Sequence, residues 1–320
     1  MSIMVTGAGG MVGSHLVERL NNEKVEVFGT YYKPTTNIDE IDQNIEMIEC
    51  DVRYPQSLQK VIFDKKPKKI FHLAAQSYPT VSWERPYETM DTNINGTIAI
   101  FEAIKTLRRL DSDYDPIVVV ACSSAEYGQT LEELNGEKVT EEAPLKPLHP
   151  YGVSKVAQDL LAFQYFVNDG IKTIRARIFN TTGTKKIGDV TSDFIRRAVS
   201  QEKNGAQKSI LRVGNIATKR AIMDVDDLIE ALLRLSDRGC YGDVYNISSE
   251  VVYEIQEIIA VIEKVMKVSF EIYVDQSLFR PTDERVIVGD VTKLKRDTDW
   301  TQKVSIEDTI SKMVEYWRSR

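Results

Sequence analysis

The chain has 320 residues, 42% hydrophobic and 28% charged, the composition of a folded globule rather than a disordered chain. A formal net charge of −7 leaves no basic footprint for nucleic acid or an anionic membrane, so neither is expected as a partner. Three scattered cysteines (Cys50, Cys122 and Cys240) exclude a disulfide framework and a zinc site, and no apolar run nears the ~20 residues of a membrane span.

The sequence opens directly into a short β-branched run, Ile3 to Thr6, with no leader pattern, and a cytoplasmic protein is expected. Further runs at Val25 to Gly29, Lys69 to Leu73 and Ile117 to Ala121 read as strands buried on both faces. Helical patterns lie between them, at Met11 to Asn21, Gln56 to Lys65 and Met90 to Arg108. A further helix, Tyr151 to Asn168, precedes a strand at Thr173 to Phe179. Regular strand–helix alternation predicts an α/β fold, a doubly wound parallel sheet with right-handed crossovers.

Beyond Asn180 the pattern loosens. A Thr/Gly/Lys-rich loop, Thr181 to Gly188, leads to helices near Thr191 to Glu202 and Val225 to Leu235, with a strand at Ile210 to Val213 between them. Val244 to Ile247, Ile255 to Val265 and Phe270 to Val274 continue the mixture, and Ile306 to Trp317 closes the chain as a helix. The expected division is a dinucleotide-binding unit over 1–180, to which later segments return, and a smaller mixed substrate-binding lobe over 181–320.

Between the first strand and the first helix stands Thr6-Gly7-Ala8-Gly9-Gly10-Met11-Val12-Gly13. A tight turn uses Gly7, close backbone approach to a pyrophosphate uses Gly10, and helix–sheet contact uses Gly13. The N–H groups that open the helix, at Met11 and Val12, face an anion. This is the fingerprint of a Rossmann sheet holding NAD or NADP. The second strand ends Gly29-Thr30-Tyr31-Tyr32-Lys33 with no acid to bond an adenosine ribose. Lys33 offers positive charge instead, which favours NADP over NAD. Thr30, Asp51 and Val52 are expected beside the adenosine, and Leu73, Ala74 and Ala75 along the dinucleotide.

Tyr151 and Lys155 stand at i and i+4, on one face of a helix. A lysine one turn away is expected to lower the phenol's pKa, fitting it to exchange a proton with a substrate hydroxyl. Ser123 and Ser124 end the fourth apolar run, where α/β sheets present their sites, so Ser123 can hold the same oxygen. His15, His72 and His149 have no metal-ligand spacing, and no metal is expected. Lys185-Lys186 reads as a solvated pair, and Trp83, Trp300 and Trp317 as packing or sugar-facing surfaces.

With these residues in hand, the chain resembles, over essentially its whole length, the extended short-chain dehydrogenase/reductases that remodel nucleotide sugars. Gly7/Gly10/Gly13, Ala74-Ala75, Ser123, Tyr151 and Lys155 carry the likeness. His72-Leu73-Ala74-Ala75-Gln76-Ser77, Ser82-Trp83-Glu84-Arg85-Pro86 and Val213-Gly214-Asn215 with Lys219-Arg220 resemble the GDP-mannose 4,6-dehydratases. Pro150 to Lys155, Phe179-Asn180 and Arg280-Pro281 are similar to the GDP-4-keto-6-deoxymannose reductases.

The resemblance implies that Asn180 bonds the sugar or its diphosphate, that Arg220 and Arg280 clamp the diphosphate, and that Asn93 is scaffold. It also implies a homodimer or homotetramer, built through the helices that carry Tyr151 and Met90. The dehydratases place an acid/base glutamate two residues past the serine, and here that residue is Ala125. Glu126 is adjacent and, by strand alternation, points the other way. It is counted with Ser124 among the residues expected at the substrate. The leading expectation is reduction of a GDP-linked 4-keto-6-deoxymannose. A dehydratase using Glu126 or a water, a C4 epimerase, and a non-catalytic dinucleotide sensor are the alternatives.

Overall fold

Strands covered on both faces have no reason to alternate, and the apolar runs of the sequence assemble accordingly. In this computed structural model, which describes residues 2–204, 209–279 and 284–320, seven strands form one sheet. They are β1 (Ile3–Thr6), β2 (Val27–Tyr31), β3 (Glu46–Glu49), β4 (Lys69–His72), β5 (Ile117–Ser123), β6 (Lys172–Ile178) and β7 (Val244–Ile247). Their order is β7-β6-β5-β4-β1-β2-β3, and every adjacent pair is parallel. The order reverses between β1 and β4, so a crevice opens there at the strands' carboxyl ends.

Eight longer helices accompany the sheet: α1 (Met11–Asn22), α2 (Pro55–Lys65), α3 (Gly96–Leu110), α4 (Pro150–Asp169), α5 (Val190–Lys203), α6 (Val225–Arg238), α7 (Ile255–Met266) and α8 (Ile306–Arg318). α1 and α6 bury Leu16, Val17, Leu228 and Leu232 against one face, and α2, α3 and α4 bury Leu58, Ile100, Ile104 and Ala162 against the other. A third core, with Phe194, Ile258, Ile262, Ile310 and Met313, joins α5, α7 and α8 to the parallel strand pair Ser209–Val213 and Phe270–Val274. The chain visits this lobe, returns to the sheet as α6 and β7, and leaves again.

Two local features aim the site. The expected helix from Met90 begins as a π-helical turn, Asp91–Asn95, before α3 proper. In that turn Asn93 is fully buried and donates to the Gln76 carbonyl at 3.1 Å and to Ser154 Oγ at 2.8 Å, fastening the loop after β4 to α4. α4 starts on Pro150, whose missing N–H is harmless there, and His149 caps it by accepting from the Gly152 N–H at 3.0 Å. Trp300 is wholly buried, its indole N–H bonded to the Asp227 carbonyl at 3.0 Å, so it packs the core and faces no sugar.

Candidate active site

The turn from β1 into α1 is shaped by close backbone contact. Gly7 has φ +72°, and a Cβ on it would lie 2.8 Å from the backbone nitrogen of Ala74. A Cβ on Gly13 would lie 2.7 Å from Ala8 Cα. At Gly10 the squeeze is milder, a Cβ lying 3.3 Å from the Gly7 carbonyl oxygen. The N-terminus of α1 has no side-chain cap and no acid in its first turn, so the N–H groups at Met11 and Val12 are left to an anion. The residues therefore fit a dinucleotide pyrophosphate.

Thr6 fixes the opposite wall. Its Oγ1 accepts from the N–H groups of Leu73 and Ala74, both at 3.1 Å, and bonds His72 Nδ1 at 2.9 Å. His72 in turn meets Thr97 Oγ1 at 3.0 Å, and its pKa is pushed down to about 3 by burial, so the ring is neutral. Leu73, Ala74 and Ala75 are thus held along the crevice.

Where the adenosine is expected, Thr30 is buried with its hydroxyl unpartnered, and Val52 packs against Gly96. Asp51 is claimed by Arg53, which donates to it at 2.6 Å. Burial opposes ionisation of Asp51, but the bonds from Arg53 outweigh it and the carboxyl sits below its usual range. Lys33 and Arg53 both approach the Tyr32 ring, at 5.2 and 5.5 Å from its centroid. Arg53 is the cation that the sequence pattern did not single out here.

At the centre, Tyr151 lies on α4 beside the end of β5. Burial pushes its phenol up to about 12, and a hydrogen bond with Ser123 offsets part of that. This differs from the expected lowering by Lys155, whose ammonium turns to the Ala121 carbonyl and to Gln158 Oε1, both at 2.8 Å. Burial pushes Lys155 down to about 8, so it is charged at neutral pH. Its Nζ stands 5.8 Å from the Tyr151 ring centroid, a distant charge rather than a bonded partner. The phenol is accordingly a proton donor. Gln158 carries no sequence signal.

Glu126 corrects an expectation. It lies in the 3₁₀ turn Ser124–Glu126 and is fully buried, not lining the crevice. Its Oε1 accepts from the Ser123 N–H at 2.7 Å and its Oε2 pairs with Arg177 at 3.2 Å. Arg177 also donates to Asp159 at 3.0 Å, and Asp159 pairs with Arg175 at 2.7 Å. The signal for this network was present. Arg175 and Arg177 alternate in an apolar strand, and Asp159 lies one turn past Lys155. Cys122, Glu126 and Asp159 bring ligand atoms together, but the cation among them is Arg177.

Of the residues expected at the substrate, Ser124 is buried beside Ser123, and Asn180 is half-buried with its carbonyl accepting from Met223 N–H at 2.9 Å. Arg220 is buried and donates to the carbonyls of Lys219 and Glu284, at 2.9 and 2.8 Å, rather than projecting as a free clamp. Arg280 lies outside the described residues. Lys185 is no solvated lysine, being buried and paired with Glu18 at 2.7 Å.

Comparison with known proteins agrees with this architecture. The family described as GDP-mannose 4,6 dehydratase matches residues 4–313. GDP-6-deoxy-D-mannose reductase of Pseudomonas aeruginosa is 28% identical over 318 residues, covering 99% of this chain and 97% of that protein. The solved structure of RMD from Pseudomonas aeruginosa complexed with NADPH superposes with a TM-score of 0.82 at 27% identity, covering 99% of each chain. UDP-glucose 4-epimerase of Thermotoga maritima, with UDP-glucose, shares the fold with a TM-score of 0.89 at 23% identity, over 100% of this chain and 99% of that one.

Proposed function

The chain belongs to the GDP-mannose 4,6 dehydratase family of extended short-chain dehydrogenase/reductases, enzymes that modify nucleotide sugars, and from that premise we propose that it reduces the C4 ketone of a GDP-linked 4-keto-6-deoxymannose. The observation that carries the reading is the likeness to GDP-6-deoxy-D-mannose reductase over 97% of that protein's length, while the missing acid weakens dehydration without itself selecting reduction. Ala125 stands where a dehydratase needs a carboxyl, and the adjacent Glu126 is turned inward onto Ser123 N–H and Arg177. Losing a general acid/base typically costs 10²–10⁴-fold, which weighs heavily against dehydration.

A bound nicotinamide dinucleotide supplies the hydride. The chain's residues do the rest. Tyr151, protonated at neutral pH, gives its proton to the C4 oxygen, and Ser123 Oγ holds that oxygen in place. Lys155 contributes positive charge from below, favouring the phenolate left behind. Asn180, Ser124 and Arg220 contact or frame the sugar diphosphate, with Arg220 acting from its bonded position.

Lys33 and Arg53 around Tyr32, with no acid at the end of β2, support NADP over NAD. The division at about residue 180 follows the same reading, with the later lobe taking the nucleotide sugar. The working form is a homo-oligomer of two or four chains, in the cytoplasm, where its three unpaired cysteines stay reduced.

The test offers the protein GDP-mannose alone, then GDP-4-keto-6-deoxymannose with NADPH or NADH. Reduced-cofactor consumption with the ketone only is expected, faster with NADPH. Tyr151→Phe should lower kcat by about 10²–10⁴ while still binding dinucleotide. A keto sugar formed from GDP-mannose without net cofactor change identifies a dehydratase instead. Inversion at C4 without cofactor consumption identifies an epimerase.

A further inference from the structure

A buried carboxylate that does not face the reaction needs another explanation, and Glu126 has two partners that matter. Its Oε1 bonds the Ser123 N–H at 2.7 Å, while Ser123 Oγ accepts from Ala125 N–H at 3.2 Å, closing a reciprocal capping box. The box fixes Ser123 in extended conformation at φ −152°, ψ 146°, at the point where β5 ends. Its Oε2 meets Arg177 of β6 at 3.2 Å, and Arg177 meets Asp159 of α4 at 3.0 Å. Asp159 lies two turns past Tyr151 on the same face of that helix.

We infer that Glu126 is a positioning residue of this site: it ties Ser123 to the charged underside of α4, and so holds the serine hydroxyl where Tyr151 meets it. The inference rests on the reading of Tyr151 and Ser123 given above.

The groups that face Glu126 come from every neighbouring element. They are Cys122 of β5, Arg177 of β6, and Tyr151, Lys155 and Asp159 of α4, with Tyr127 following the turn itself. Burial and Asp159 push Glu126 up to about 8 against the pull of Arg177 and the Ser123 N–H, so at neutral pH it holds Ser123 chiefly as a hydrogen-bond acceptor. Shortening it by one methylene withdraws that acceptor from Ser123, and with it the Ser123 hydrogen bond that favours the phenolate.

Two variants test this. Glu126→Gln retains an acceptor for Ser123 at full reach, whereas Glu126→Asp loses reach. Tetranitromethane attacks tyrosinate, so its rate of nitration at Tyr151, mapped by mass spectrometry at fixed pH, reports phenolate without any substrate. Glu126→Asp should lower that rate about three- to tenfold, as a rise of a half to one pKa unit requires, and Glu126→Gln should leave it within about twofold. Glu126→Asp should lower kcat about tenfold with KM unchanged. Equal nitration changes in the two variants, or full kcat in Glu126→Asp, overturns the inference. If Glu126→Gln does not fold, the kcat and KM of Glu126→Asp decide. If the parent protein turns over no nucleotide sugar, the reductase reading fails, and the nitration rates still judge this inference.

Discussion

Lys155 shows how a site residue can be costly to the fold that carries it. Its pKa falls from 10.5 to about 8 because burial penalises the ammonium. The unfolded chain therefore binds that proton more tightly, and between pH 8 and 10.5 it holds more proton than the native state. This group's contribution to stability thus rises with pH across that window. Below it, the buried charge costs of the order of 3 kcal/mol by the size of the shift. Lys155→Met should therefore be more stable than the parent at pH 7, by about 1–2 kcal/mol once the unpaired Ala121 carbonyl and Gln158 are counted, and no more stable near pH 10.5. Denaturant titrations at the two pH values check this, and a loss at pH 7 rejects it. The spacing of Tyr151 and Lys155 was legible in the sequence. The ammonium's attachment to β5 was not, because a backbone carbonyl contributes no letter to a motif.

At the level of elements, the glycines of the first turn divide by what surrounds them. Gly13 is wedged against Ala8, so Gly13→Ala should lose about 1–3 kcal/mol as backbone is forced apart. A Cβ on Gly10 presses only on the Gly7 carbonyl oxygen, at 3.3 Å, so Gly10→Ala should lose about 1 kcal/mol or less, below the loss in Gly13→Ala, and weaken dinucleotide binding at least about tenfold. Thermal melts and dinucleotide fluorescence titrations on the same samples test the contrast, and parallel losses in both variants would count against it. Strands β1 and β7 and helices α1 and α4 were readable to within a residue or so, because both-face burial and a 3.6-residue stripe leave strong patterns. β3 has none, since it is an edge strand with Glu46 exposed and Glu49 exposed, and its middle residues half-buried. The π-helical turn at Asp91–Asn95 keeps the ordinary helical stripe on either side and so was hidden inside it. Glu126 was misplaced in another way. Strand alternation already turned it away from the crevice, as the structure has it, and the slip lay in counting it with Ser124 at the substrate.

For the whole molecule, α4 exposes one apolar stripe away from the sheet, made of Val153, Leu160, Phe163 and Val167, with Leu160 53% and Val167 59% exposed. Their spacing keeps them on a single face, and a two-fold partner presenting the same helix would cover it. Leu160→Glu with Val167→Glu should convert the oligomer to a monomer in light scattering, with the fold intact by circular dichroism. A parent protein that is already monomeric removes the proposal. Among the described residues no helix is long and apolar enough to cross a membrane.

The path of the chain between its two lobes has a consequence of its own. α6 and β7 lie after the first excursion into the smaller lobe, yet α6 roofs α1, and β7 completes the edge of the sheet beside β6. Neither half of the polypeptide is then a self-sufficient fragment. Severing it near the middle bares the sheet face that α6 covers and leaves β6 as an open margin, so an expression plasmid that ends there encodes a sheet with sticky edges rather than a smaller working enzyme.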